Sequence, residues 1–179
     1  MTDRVVVDPT LGHKLAFRNE LDEDGTEVTR IEMWVEPGGG VPAHVHPSIE
    51  ESFTVLDGTA ELLGGRRWRA AWPGETVVVS PGTRHAYRNR GDRVAHVACI
   101  AKPASASLEE FLTAAAELNR RGLLSKAGLP KRPGAILPAV ALAHRHREMV
   151  TMGFPLPPAP VQRLLFGPLA RLAERRGIA

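Results

Sequence analysis

Residues 38–58 read GGGVPAHVHPSIEESFTVLDG, and this stretch decides how the rest of the chain is understood. It places His44, His46 and Glu51 within eight residues, and a second stretch, Gly74–Asn89 (GETVVVSPGTRHAYRN), adds His85. Imidazole nitrogen and carboxylate oxygen together suit a divalent transition ion such as iron, manganese, nickel or zinc. Side chains two apart on a strand share a face, so His44 and His46 can reach one ion from one strand. Glu51 lies five positions beyond His46 and cannot join them on a straight strand. Pro47 and Ser48 must therefore turn the chain back toward the two histidines.

The spacing around these residues resembles that of the cupin family. Gly38, His44, His46, Glu51 and Gly58 match the first cupin motif: glycine, five residues, HxH, four residues, glutamate, six residues, glycine. Gly74, Gly82, His85 and Asn89 fall in register with the second. That motif's proline position holds Ser80, with Pro81 one place later, so the turn before His85 is still stiffened. Thr59–Pro73 separates the motifs by 15 residues, as in small single-domain, cupin-2-type proteins. The resemblance covers roughly residues 26–101. It implies a mostly β fold, the cupin double-stranded β-helix or jelly-roll barrel, holding one divalent metal through His44, His46, Glu51 and His85. Glu50, at the shorter spacing the motif also allows, is the alternative carboxylate.

Turn signals and alternation agree with many short strands. Val5–Val7 forms a first strand that Pro9 ends, and Lys14–Arg18 a second, followed by the acidic turn Asp22–Gly25. Thr26–Glu36 alternates, but the phase switches between Val28 and Ile31, which predicts a bulge or an imperfect register. Ser52–Leu56 runs into the hairpin signal Asp57-Gly58, and Thr59–Leu63 returns from it. Gly64-Gly65, Pro73-Gly74, Pro81-Gly82 and Gly91-Asp92 punctuate strands at Arg66–Ala70, Thr76–Val79, His85–Asn89 and Val94–Ala101. Pattern alone fits either a sandwich or a barrel; the motif resemblance selects the jelly roll.

The composition changes after Pro103, dividing the chain into a barrel over 1–102 and a helical, proline-interrupted, basic C-terminal extension over 103–179. Ser107 followed by Glu110 is a capping-box pattern for a helix reading LEEFLTAAAELNRR, with Gly122 as its stop. Leu129–Gly134 reads as a linker, and Ala135–Met149 as a second helix with Pro138 in its first turn. Phe154–Pro160 contains four prolines and is expected to be non-helical. Val161–Arg176 reads as a third helix, kinked or restarted at Gly167-Pro168. The barrel carries 11 basic and 15 acidic residues through Ala101, a net of −4. From Lys102 onward there are 12 and 5, a net of +7.

At 179 residues with 43% hydrophobic and 24% charged residues, the chain can bury a full core. Cys99 is the only cysteine, which excludes an internal disulfide and fits a reducing, cytoplasmic setting. Its apolar neighbours make it a small buried hydrophobe rather than a nucleophile. The N-terminal apolar run is too short for a signal peptide, and no stretch is long enough to span a bilayer. GxSxG, Walker, GxGxxG and CxxC patterns are all missing, which removes support for the usual hydrolase, nucleotide and redox-disulfide readings.

Tyr87 and Asn89 share the face of His85 on one strand. Tyr87 is thus the candidate catalytic residue, lining the pocket to orient a substrate, with a core tyrosine as the plain alternative. Phe53 and Val55 share the face of Glu51 and supply apolar walls; Met33 lines the pocket or fills the core. Arg84 and Arg88 are expected to face solvent, and His144 and His146 to lie at the surface or against a partner. Three histidines and one carboxylate leave open positions on an octahedral ion. The resemblance implies dioxygenases, oxidases, isomerases, decarboxylases and non-catalytic binding modules, and barrels that pair as homodimers.

The leading expectation is a metal-dependent enzyme acting on a small oxygen-bearing organic molecule, with a dioxygenase-type oxidoreductase first. A small-molecule binder or sensor and a Lewis-acid isomerase are the alternatives. The basic tail is expected to pack on the barrel or on a second subunit. Peripheral membrane contact through residues 161–177 is the second reading, and nucleic acid is disfavoured because no aromatics sit within the basic clusters.

Overall fold

A computed structural model describes residues 4–153 and 156–178. The strands are β1 (Arg4–Asp8), β2 (His13–Leu21), β3 (Glu27–Val35), β4 (His44–Val45), β5 (Glu50–Asp57), β6 (Ala60–Gly64), β7 (Arg67–Ala71), β8 (Thr76–Val79), β9 (His85–Arg88) and β10 (Ala95–Lys102). Three helices follow, α1 (Ala106–Arg120), α2 (Ile136–Arg145) and α3 (Ala159–Arg175), with a last strand β11 (Thr151–Met152) between the second and third. Two antiparallel sheets face each other, ordered β1-β2-β3-β10-β5-β8 and β11-β4-β9-β6-β7. This is the expected mostly β jelly roll with a helical C-terminal part.

Alternation builds the core between the sheets. Leu15, Phe17, Ile31, Met33, Val35, Phe53, Val55, Val97 and Cys99 point inward from the larger sheet, and Ala60, Leu62, Ala71 and Tyr87 from the smaller. Each large apolar side chain removed from water contributes about 1.5–3 kcal/mol. The bulge expected near Val28 is not there: β2 and β3 pair without a shift from His13↔Val35 to Leu21↔Glu27. The apparent phase switch has another cause. Thr29, not Val28, continues the inner face, and Val28 lies on the other face yet is still buried. The one irregularity along β10 falls at His96/Val97, where it pairs with β5.

The helices differ in detail from the sequence pattern. The cap of α1 is Ser105, whose hydroxyl accepts from the Leu108 N–H. Ser107 instead bonds the His146 Nδ1 at 2.8 Å. Gly122, with φ +66°, closes the helix by donating to the Asn119 carbonyl, while the Leu123 N–H reaches Leu118. The second helix stops at Arg145, short of Met149, and the following turn buries Met149 and Val150 before β11. Phe154 and Pro155, within the segment expected to be non-helical, lie outside the described residues. The segment's end is corrected, because Ala159 and Pro160 already belong to the first turn of α3, where a missing N–H has no cost. α3 then runs through Gly167-Pro168 without a restart.

The C-terminal part folds onto its own barrel. α1 packs against β1, α2 against α3, and β11 adds to β4 as an edge strand, Thr151↔Val45 and Met152↔His44. Among the described residues no helix is long and apolar enough to cross a membrane.

Candidate metal centre

The two sheets bring the four predicted ligands together from opposite sides. His44 on β4 sits directly across from His85 on β9, and His46 follows immediately after β4. Glu51 comes from β5 in the facing sheet, so the turn at Pro47-Ser48 carries the chain from one sheet to the other. One candidate ligand atom from each of His44, His46, Glu51 and His85 lies within 4.8 Å of the others. Atoms bound at about 2.1 Å around one ion stand about 3–4.3 Å apart, so the cluster is nearly closed to that size. Glu50 is not part of it; it pairs across the sheet with Lys102.

Each histidine is held by its far nitrogen. The Nδ1–H of His44 donates to the Pro42 carbonyl at 3.0 Å, that of His85 to Thr83 at 2.8 Å, and that of His46 to Met149 at 2.8 Å. Those bonds fix the tautomer with Nδ1 protonated and leave each Nε2 lone pair free. His85 Nε2 approaches Glu51 Oε2 to 2.8 Å, and His46 Nε2 approaches Oε1 to 3.7 Å. The His46 contact is too long for a hydrogen bond, and His46 Nε2, His85 Nε2 and Glu51 Oε2 are buried without a hydrogen-bond partner. Such orphaned polar atoms are costly when buried. A divalent cation at their common focus satisfies all three, so the residues present fit the ion that the motif implies.

Electrostatics agree. Burial, with His85 and His46 close by, pushes the His44 imidazole down to about 3. Burial also lowers His46 despite the Glu51 charge. At His85 burial acts downward, but the adjoining Glu51 carboxylate and the Thr83 carbonyl raise the pKa above its ordinary value. Burial works against the Glu51 charge, and the three imidazoles overcome it and lower its pKa. Neutral His44 and His46 beside an ionised Glu51 are the protonation states a metal requires, whereas His85, raised by the same carboxylate, must give up its Nε2 proton when an ion binds.

Tyr87 also faces the interior, as its alternation with His85 predicts. Its hydroxyl is 2.6 Å from His13 Nδ1. Burial, and the nearby Cys99, Glu51 and Asp8, hold its pKa well above 10, so it stays a neutral hydroxyl. Burial lowers His13 to about 4, opposed by the Asp8 charge. Asp8 in turn accepts from the Leu11 N–H at 2.9 Å and from the Asn119 amide on α1. Cys99 is the buried thiol the sequence suggests, its Sγ 3.8 Å from Glu51 Oε1 and its pKa raised by burial and that carboxylate. Asn89 is structural: it donates to the Val35 and Arg93 carbonyls.

Two surface expectations are corrected. His146 is buried on Ser107 and Phe111 because the chain turns inward after α2. Arg88 is half-buried, bonded to Glu61 at 2.7 Å and lying over the Trp68 ring; Arg84 is exposed as expected.

The cluster opens on a cavity of about 670 Å³ between the barrel and the three helices. Met33 and Phe53 line it from the barrel, Phe111 and Leu112 from α1, Val140 from α2 and Phe166 from α3. Val55 is core and not wall. Among the described residues no lysine or arginine borders the cavity. Sequence reasoning missed His13, Asp8, Asn119 and the Met149 carbonyl. His13 had a signal, since it alternates with Leu15 and Phe17 on the inner face of β2. The Met149 contact had none, being a backbone atom 103 residues from its partner.

Two facing antiparallel sheets, with three histidines gathered at one and a glutamate on the other, define a jelly roll that carries a candidate metal-binding cluster. The cupin-domain family model matches residues 31–101, and that part of the chain is a cupin domain. No curated protein matches the chain. Among solved structures it is similar to a double-stranded β-helix protein from Klebsiella pneumoniae (22% identity, 50% of this chain and 75% of that one, TM-score 0.44). It is similar as well to the cupin-2 domain of an XRE-family transcriptional regulator from Enterobacter cloacae (22%, 50% and 95%, 0.43). A third is oxalate decarboxylase from Bacillus subtilis (19%, 57% and 28%, 0.49). These likenesses concern the fold alone.

Proposed function

We propose that the protein is a metal-dependent enzyme acting on a small oxygen-bearing organic molecule, and that it is a dioxygenase-type oxidoreductase. The supporting observation is the set of buried, orphaned ligand atoms of His46, His85 and Glu51, joined by His44, beside a mainly apolar cavity. A redox-active divalent ion held there would supply Lewis acidity and electron exchange with dioxygen. His44, His46 and His85 keep their rings oriented through backbone carbonyls, so the ligand set is preorganised before anything binds. Tyr87, paired with His13, offers a neutral hydroxyl to a substrate oxygen near the cluster. The apolar side chains that the helices add to the cavity lower the local dielectric and would strengthen each of these polar contacts.

A sugar-phosphate isomerase is less well supported, because among the described residues no lysine or arginine lines the cavity to hold a phosphate. The test is turnover of candidate substrates by iron-, manganese- and zinc-loaded protein with and without dioxygen. The proposal expects oxygen consumption with a redox-active ion and none with zinc. Equal turnover with zinc, or turnover indifferent to oxygen, overturns the oxidoreductase reading in favour of Lewis-acid chemistry. Tight binding without turnover by any metal form leaves a sensor.

A further inference from the structure

We propose that the cavity selects a mainly apolar, uncharged molecule of drug-like size, held with its oxygen-bearing end toward the histidine cluster and its apolar body under the C-terminal helices. The oxygen-bearing end rests on the function proposed above; the apolar body does not.

Three observations carry it. The first is volume and lining. About 670 Å³ is the size of pockets that enclose most of a drug-sized ligand, and far more than a two- or three-carbon acid needs. Apart from the histidine cluster, Asp8, His13, Tyr87, Asn119 and Ser125, its walls are aliphatic and aromatic from both the barrel and the helices, so most of a ligand's body meets apolar side chains.

The second is charge. The cavity is bordered by the carboxylates of Asp8 and Glu51 and by no lysine or arginine among the described residues. A divalent ion would be balanced by those two carboxylates alone. A dianionic ligand would then bring uncompensated charge into an apolar space, which is strongly unfavourable. A neutral ligand brings none.

The third is the route in and the polar mark at the barrel–helix junction. Leu165 and Leu169 of α3 and Ile136 of α2 border the cavity and are 52%, 36% and 43% exposed, so the opening lies along those two helices. Asn119 of α1 also borders the cavity. Its amide nitrogen donates to Asp8 Oδ2, which leaves Oδ1 as the free atom. That Oδ1 is buried and has no partner, an acceptor suited to a hydroxyl on an otherwise apolar ligand.

Metal-free protein titrated with the neutral fluorophore N-phenyl-1-naphthylamine tests this without any redox chemistry. The expected result is saturable emission, displaced by linear primary alcohols with affinity rising about three- to fourfold per added methylene until the cavity is full. Sodium oxalate and glucose 6-phosphate should not compete. Ala139→Trp, which fills the cavity, and Leu165→Arg, which charges its opening, should each weaken the fluorophore about tenfold or more. Leu164→Asp, on the same helix but 74% exposed and outside the lining, should leave it unchanged. If Ala139→Trp does not fold, the half-exposed Leu165→Arg decides alone. No saturable binding, competition by oxalate, or loss of binding with Leu164→Asp instead of Leu165→Arg overturns the proposal. Saturable binding with no turnover by any metal form retains the apolar ligand and rejects only the enzyme.

Discussion

Replacing Gly153 with Ala should weaken metal binding although the residue touches no ligand. A Cβ at Gly153 would lie 2.7 Å from the Ala43 carbonyl oxygen, closer than real Cβ contacts, and the obstacle is backbone that cannot swing away. The Gly153 N–H donates to that same oxygen at 2.8 Å, so the added methyl pushes apart the bond that closes β11 against β4. Four residues earlier, the Met149 carbonyl holds the His46 Nδ1–H at 2.8 Å. Loss of an acceptor behind a ligating histidine typically costs 10–100-fold in metal affinity. The clash falls on Ala43, next to His44, and four residues from the Met149 acceptor, so at least the lower end applies: about tenfold, or about 1.4 kcal/mol. The assay is chelator competition with zinc on purified Gly153→Ala, with circular dichroism to establish that the barrel is intact. Gly64→Ala is the control, since a Cβ there meets nothing within 4 Å. An affinity within about twofold of the unsubstituted protein, with normal folding, would show that the tail does not support the centre.

Other perturbations have equally definite outcomes. His46→Ala should abolish stoichiometric metal, read by elemental analysis, because it removes a ligand that faces Glu51 across the focus. Tyr87→Phe should cost roughly 1–3 kcal/mol in denaturant unfolding by leaving His13 Nδ1 without its buried partner; no change would place water or another group on that nitrogen. For pH, His13 sits at about 4 when folded against 6.5 when unfolded. Between those values the unfolded chain binds more protons, so stability is full above 6.5 and falls as pH drops toward 4. The loss is on the order of 3 kcal/mol for this group in metal-free protein. A flat stability profile across that window would contradict the buried, neutral assignment. Ending the chain at Lys102 should uncover the barrel side of the cavity and sharply lower soluble yield; a truncated chain of unchanged solubility and melting temperature would sink the docked-tail account.

The sequence was most readable where local rules suffice. His44, His46, Glu51 and His85 could be found because strand alternation and motif spacing put ligands at fixed offsets, and Tyr87 followed from sharing the face of His85. Asp57-Gly58 and the other turn pairs located the strands from β5 to β10 to within a residue or two, while β2 runs three residues past the expected Arg18. Legibility failed where tertiary contacts decide. Val28 is buried on the outer face of its strand, so hydrophobicity suggested a phase change that the backbone does not make. Ser105 and Ser107 both precede α1, and only the packing of His146 onto Ser107 shows which hydroxyl is left to cap. The return of residues 149–153 to β4 was illegible. A two-residue strand and one carbonyl carry no pattern, yet they orient one of the four ligands.

The central claim is that one ion sits at the meeting point of four side chains from two facing sheets. X-ray anomalous scattering at the metal edge, on crystals of protein reconstituted with manganese or iron, addresses it directly. The account predicts a single strong peak about 2.0–2.3 Å from Nε2 of His44, His46 and His85 and from a carboxylate oxygen of Glu51. A peak elsewhere, or none at full metal loading, would contradict it.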